Sequence, residues 1–203
     1  MPRTGRPRTF DRGAALDAAM RLFWEHGYET TSLDQLKRAM GGLSPASFYA
    51  AFGSKAALFR EVVARYRSTY GQVTAPLHDP SLPPRQAIEQ SLRASARMQT
   101  DPSHPSGCLV VLSVSAWSPG SVPLQAELQA ERQANRDAIR AGVQRAIAAG
   151  DLVATTDAEA LAALFEGLLV GFSVQARDGL RVEAMDAAIT AALQVWDLHQ
   201  VRH

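Results

Sequence analysis

Residues 30–59, TTSLDQLKRAMGGLSPASFYAAFGSKAALF, read as a helix, a glycine turn, a short helix, a serine cap and a third helix. In Ser32-Leu33-Asp34-Gln35 a serine hydroxyl and a glutamine three residues on can satisfy each other's free backbone N–H groups, a capping box that starts a helix. Gly41-Gly42 supplies the positive φ that stops it, and Ser44-Pro45 restarts one with a cap and a proline at the first helical position. A second restart at Gly53-Ser54, with Lys55 beside the new N-terminus, limits the middle helix to about two turns. Two helices across a sharp turn, the second short enough to enter a major groove, form a helix-turn-helix DNA reader.

Upstream, Ala15, Ala18, Ala19, Leu22 and Phe23 recur on one face of a first helix that Asp11 can cap and Gly27 can end. Downstream, Leu58, Val62 and Tyr66 mark a fourth helix from Ser54 to about Tyr70, long enough to leave the DNA-reading unit as a connector. The segment Thr74 to Pro84 holds four prolines and breaks helices. Further helices are expected at about 84–100, 107–117, 121–149, 157–177 and 182–199. The run Leu109 to Val114 is rich in β-branched residues but has no partner segment, so it is kept helical. The expected fold is all-α with nine helices: a basic arm (1–9), a helix-turn-helix domain (10–56), and a helical second domain (57–203).

The net charge of +1 conceals a split. Residues 1–70 carry 11 Lys/Arg against 6 Asp/Glu, and residues 71–203 carry 10 against 14. A basic head on an acidic body suits a protein with one nucleic-acid face. No run of 18 apolar residues occurs, and the arginine-bearing N-terminus lacks the apolar stretch of a secretory signal. No membrane partner is expected, and the protein is placed in the cytoplasm. The single cysteine, Cys108, cannot form an internal disulfide or a zinc cage, and neither metal nor other cofactor is expected.

The ordered series Leu22-Phe23, Gly27-Tyr28, Thr31-Ser32, Leu43-Ser44, Ser47-Phe48-Tyr49, Phe52 and Gly53-Ser54-Lys55 resembles the tetracycline-repressor-like regulators over about residues 10–60. Two departures stand out: an extra glycine in the turn, and Ala50 and Ala51 where members often carry larger side chains. The resemblance implies a DNA-binding regulator, more often a repressor, that occupies a palindromic operator as a homodimer until a small-molecule effector releases it. By position it implies phosphate contacts from Thr31, Tyr49 and Lys55. The start of the recognition helix, Ser44, Pro45, Ala46 and Ser47, with Ala50 a turn later, should face base edges. These side chains are short, so specificity should lean on DNA shape, on Arg38, and on the arm arginines Arg3, Arg6 and Arg8. Phe48 and Phe52, four apart, read as core.

In the resembling family the last two helices pair with their copies in a four-helix bundle. Here those helices carry Leu161, Leu164, Phe165, Leu168, Leu169 and Phe172, then Met185, Ile189, Leu193 and Trp196, with Gly167 and Gly171 permitting close backbone approach. The family also implies a small-molecule pocket in the body. Met98, Trp117, Phe165 and Phe172 are candidate walls, with His104, Ser113, Gln175 or Arg177 as polar anchors. Cys108 lies at a predicted helix start and reads either as a buried small hydrophobe or as a reactive thiol that senses electrophiles or oxidants. Two other classes stay open: an enzyme pairing Cys108 with a histidine, and an architectural DNA binder without an effector.

Overall fold

The computed structural model describes residues 10–113 and 118–201. The arm arginines Arg3, Arg6 and Arg8 and the candidate wall residue Trp117 lie outside the described residues. Nine α-helices are present among those described: α1 (Arg12–His26), α2 (Leu33–Ala39), α3 (Pro45–Phe52), α4 (Lys55–Ser68), α5 (Pro84–Thr100), α6 (Leu109–Leu112), α7 (Val122–Ala149), α8 (Ala158–Arg177) and α9 (Val182–Leu198). Short 3-10 helices, Tyr70–His78 and Pro119–Ser121, join α4 to α5 and lead into α7. The described residues form no sheet; Leu152 and Gln200 make one isolated antiparallel bridge.

The helix starts are where local chemistry places them. Asp11 accepts from the Ala14 N–H at α1, Ser44 from Ser47 at α3 and Ser54 from Ala57 at α4. At α2 the capping box is complete: Gln35 N–H reaches Ser32 Oγ at 3.2 Å and Ser32 N–H reaches Gln35 Oε1 at 2.7 Å. Gly41 and Gly42 stand at φ +92° and +77°, letting the N–H groups of Gly42 and Leu43 both return to the Lys37 carbonyl.

Three expectations change. The segment from Thr74 does not break at once but continues a 3-10 helix to His78 with Pro76 inside it. A 3-10 ladder here closes through a few weak bonds, such as Asp79 N–H to Pro76 O, and buried Leu77 ties it to the body. The helix expected at 107–117 is a single turn, Leu109–Leu112, with Cys108 outside it as the capping residue. On α1 the buried stripe is Ala15, Leu16, Ala19, Met20, Phe23 and Trp24; Ala18 and Leu22 lie at its margin.

Two apolar clusters organise the packing. In the first, α4 completes the head: Leu58, Phe59, Val62 and Tyr66 pack on Phe23, Trp24, Leu36, Phe48 and Phe52, and Leu109, Val110, Leu124 and Leu128 of the body join them. Head and body therefore share a core. The second cluster lies within the body between α5, α7, α8 and α9. By length and composition α8 is apolar enough to cross a membrane, but its Leu161, Phe165, Leu169 and Phe172 are packed into this cluster.

Candidate functional site

The head presents α3 as a ridge with two unlike faces. Phe48 and Phe52 are buried beneath it, while Ser44, Pro45, Ala46, Ser47, Tyr49 and Ala50 are all exposed. Tyr49 is 51% exposed, its ring edge-on to Phe48, so its phenol tip points outward from a fixed base. Arg38 is exposed at the end of α2, its Nε donating to the Asp34 carbonyl. A short helix with small outward side chains and one phenol can lie against a groove and hold a phosphate.

Two of the phosphate candidates sit differently from expectation. Thr31 is fully buried, and its hydroxyl donates at 2.7 Å to the Gly27 carbonyl. It fastens the α1–α2 turn, so its hydroxyl is not available at the surface; the turn's compactness decides this. Lys55 is half-buried, its ammonium 4.4 Å from the centre of the Tyr28 ring and 3.5 Å from the Glu29 carbonyl. Burial pulls its pKa down and Glu29 partly opposes that. To meet a phosphate the ammonium must leave this aromatic seat.

The same turn joins head to body. Glu29 accepts from the Ser118 N–H and hydroxyl, both at 2.9 Å, and hydrogen bonds from Ser121 and Ser118 hold its carboxyl below the ordinary range. Trp24 is the second joint: its Nε1 donates to the Gly107 carbonyl at 3.0 Å and its own carbonyl accepts from Arg177.

A cavity of about 380 Å3 opens in the body between α4, the 3-10 segment, α5, α6, α7 and α8. Met98, a candidate wall residue, and Cys108 both line it. The other candidates do not. His104 is stacked on Trp24 at 4.5 Å with its Nδ1 against the Pro105 carbonyl, because it fills the head–body joint. Phe165 and Phe172 face the second apolar cluster, where the other large side chains of α8 and α9 draw them. Ser113 is buried outside the cavity wall, and Gln175 and Arg177 are exposed.

The cavity's polar groups were not legible beforehand. Deep in the wall, Gln99 donates to Ser95 Oγ at 2.7 Å and accepts from Ser173 at 2.6 Å. The Tyr66 hydroxyl donates to Cys108 Sγ at 3.2 Å. Burial pushes the Cys108 thiol up, against the Tyr66 hydrogen bond and the neighbouring Arg132. Among the described residues no group of three metal-ligating side chains converges.

On α8 and α9 the dimer candidates divide. Leu161, Phe165, Met185, Ile189, Leu193 and Trp196 are buried within the subunit, so they cannot meet a second copy; the large side chains turned inward. Leu164 and Gly171 remain accessible, while Leu168 is partly buried against the second apolar cluster. With Gly167 and Val174, Leu164 and Gly171 form an outward stripe on α8, and Ala184, Ala188, Ala191 and Leu198 are exposed on α9. A methyl added at Gly167 or Gly171 would meet nothing within 4 Å.

Comparison with known proteins agrees with this architecture. Residues 15–62 match the bacterial regulatory proteins of the tetR family, and residues 84–192 match the tetracyclin repressor-like C-terminal domain. The HTH-type transcriptional repressor ComR of Escherichia coli (strain K12) is 32% identical over 193 residues, 95% of this chain and 91% of that protein. The HTH-type transcriptional repressor BdcR of the same strain is 29% identical over 191 residues, 93% of this chain and 89% of that one. Among solved structures, a cysteine mutant of the TetR family transcriptional regulator CifR, complexed with 26-base-pair operator DNA, superposes with a TM-score of 0.83. It is 42% identical, covering 94% of this chain and all of that one.

Proposed function

The chain belongs to the tetR family of bacterial regulatory proteins, and from that premise we propose that it is a cytoplasmic, homodimeric repressor that binds a palindromic operator and is released by a small molecule. The family's members are transcriptional regulators rather than enzymes, which sets aside a Cys108–histidine enzyme. The observation that carries the proposal is α3: six exposed small or phenolic positions from Ser44 to Ala50 on a helix anchored by buried Phe48 and Phe52. Two such helices in a two-fold dimer read two half-sites that one cannot. The cavity supplies the effector site, and the Trp24–Gly107 and Glu29–Ser118 contacts connect its walls to the head. An effector acts by favouring one head–body arrangement over the other.

The phosphate roles are tested by salt dependence. Tyr49→Phe weakens binding to all duplexes alike, and Lys55→Ala shallows the slope of log affinity against log salt by about one unit. Filter or fluorescence titrations from low to moderate salt read both. An unchanged slope for Lys55→Ala means that the ammonium stays on Tyr28 and touches no phosphate.

A second reading, a cysteine sensor, is favoured by the place of Cys108 on the cavity wall beside the Tyr66 hydroxyl. In it the thiol adds to an α,β-unsaturated carbonyl: the S–C bond forms at the β-carbon and the thiol proton ends on the α-carbon. Cys108→Ser then abolishes operator release by trans-2-hexenal while operator affinity is unchanged. Full release of the serine variant rules this reading out.

A further inference from the structure

The cavity wall carries two carboxylates and two arginines, equal in number but not paired with one another one to one. Both carboxylates there already have partners: Glu131 pairs with Arg67 at 2.8 Å, and Glu166 pairs with Arg136 at 2.7 Å. Of the two wall arginines, Arg67 is thus neutralised and Arg132 is not. Arg132 is half-buried, gives one hydrogen bond, from Nη1 to the Val110 carbonyl at 3.2 Å, and makes no ion pair with any described residue. Burial draws its pKa down, with Glu166 only partly offsetting the loss of water. Behind Glu166, the buried Nε of Arg136 also lacks a hydrogen-bond partner. Half-burying a guanidinium with no carboxylate in direct contact is costly, and a planar five-donor group with one donor used is suited to a carboxylate.

Apolar side chains surround this charge: Met98, Val110, Val111, Leu169 and Val170 line the same cavity. Its volume, about 380 Å3, lies at the small end of the range in which cavities take up small organic molecules.

We propose that the effector is a small organic monoanion, a carboxylate with an apolar body, whose charge is held by Arg132 while its body lies against Met98, Val110 and Leu169. The inference rests on the cavity being the effector site. Bound there, the carboxylate meets donors that Arg132 leaves unused, next to the one it gives to the Val110 carbonyl on the α6 turn that Cys108 caps.

The test uses three probes of matched length, octanoate, octanamide and octylamine, titrated calorimetrically into the full-length protein and its Arg132→Gln and Arg132→Lys variants. Octanoate is expected to bind about tenfold or more tighter than octanamide, and octylamine weakest. Arg132→Gln should remove the octanoate advantage, and Arg132→Lys should keep part of it. If octanamide equals octanoate, or if Arg132→Gln leaves octanoate binding intact, the anion proposal is overturned while the cavity stands as a site. If no probe binds, both the anion proposal and the cavity's role are overturned. If both variants lower the melting temperature alike and octanoate affinity is untouched, Arg132 is a structural tie to Val110 and the proposal is again overturned.

Discussion

Leu164→Glu is expected to turn the dimer into a folded monomer and to lower operator affinity by about a hundredfold or more. Leu164 is 37% exposed in the subunit and stands on the outward stripe of α8, one turn before Gly167. Along the same stripe Val174 is 54% exposed, and on α9 Leu198 is 76% exposed. A two-fold bundle built on this stripe brings each Leu164 into an apolar contact. A glutamate there leaves two carboxylates with no cation, which costs several kcal/mol. The loss of affinity follows because two linked half-site contacts become one. Since the side chain is already solvent-accessible, the monomer should keep its helical circular dichroism. Sedimentation and operator titration on one preparation read both effects. A variant that stays dimeric places the interface elsewhere.

Gly107→Ala should destabilise the fold by about 3 kcal/mol or more. Gly107 has φ +83°, and an added Cβ would fall 2.4 Å from Leu112 Cδ1 and 2.7 Å from the Ser173 backbone carbonyl. The leucine tip can move, but the α8 backbone cannot without opening the body. The same residue donates to the Gln99 carbonyl at 2.9 Å and accepts from Trp24, so a shift of this turn also loosens the head. Gly41→Ala is the control: φ is +92° but nothing lies within 4 Å, so only backbone strain of about 1–2 kcal/mol applies. Denaturant midpoints of the two variants measure the difference. A Gly107→Ala protein within about 1 kcal/mol of the parent would contradict the packing described here.

What was legible in the chain was local. Ser32, Ser44, Ser54 and Asp11 cap helices through atoms three residues away, and the glycine pair stops α2 through its own backbone, so no distant partner need be known. Phe48 and Phe52 were recognisable as core because one short helix has room for only one buried face. The faces of α8 and α9 were harder. Both helices carry apolar residues on more than one side, and periodicity does not say which stripe meets α5 and α7 and which meets a second copy. The large side chains went inward, and the stripes left accessible on α8 and α9 are the ones that hold the glycines and alanines.

The cavity shows the limit in another way. Met98 could be picked out as a candidate wall residue, but Arg132 and Glu166 look in sequence like ordinary solvated charges on long helices. Their significance depends on which charges are already paired across α7 and α8, and no spacing along the chain records that. Likewise, Thr31 matched a motif position, yet its hydroxyl was claimed by the Gly27 carbonyl four residues back.

The most direct test of a homodimeric operator reader is selection of bound sequences from a random duplex pool with the unliganded protein. The expected outcome is an inverted repeat whose half-sites lie about one helical turn, or a multiple of it, apart. Enrichment without symmetry or sequence preference would contradict it and point to an architectural DNA binder.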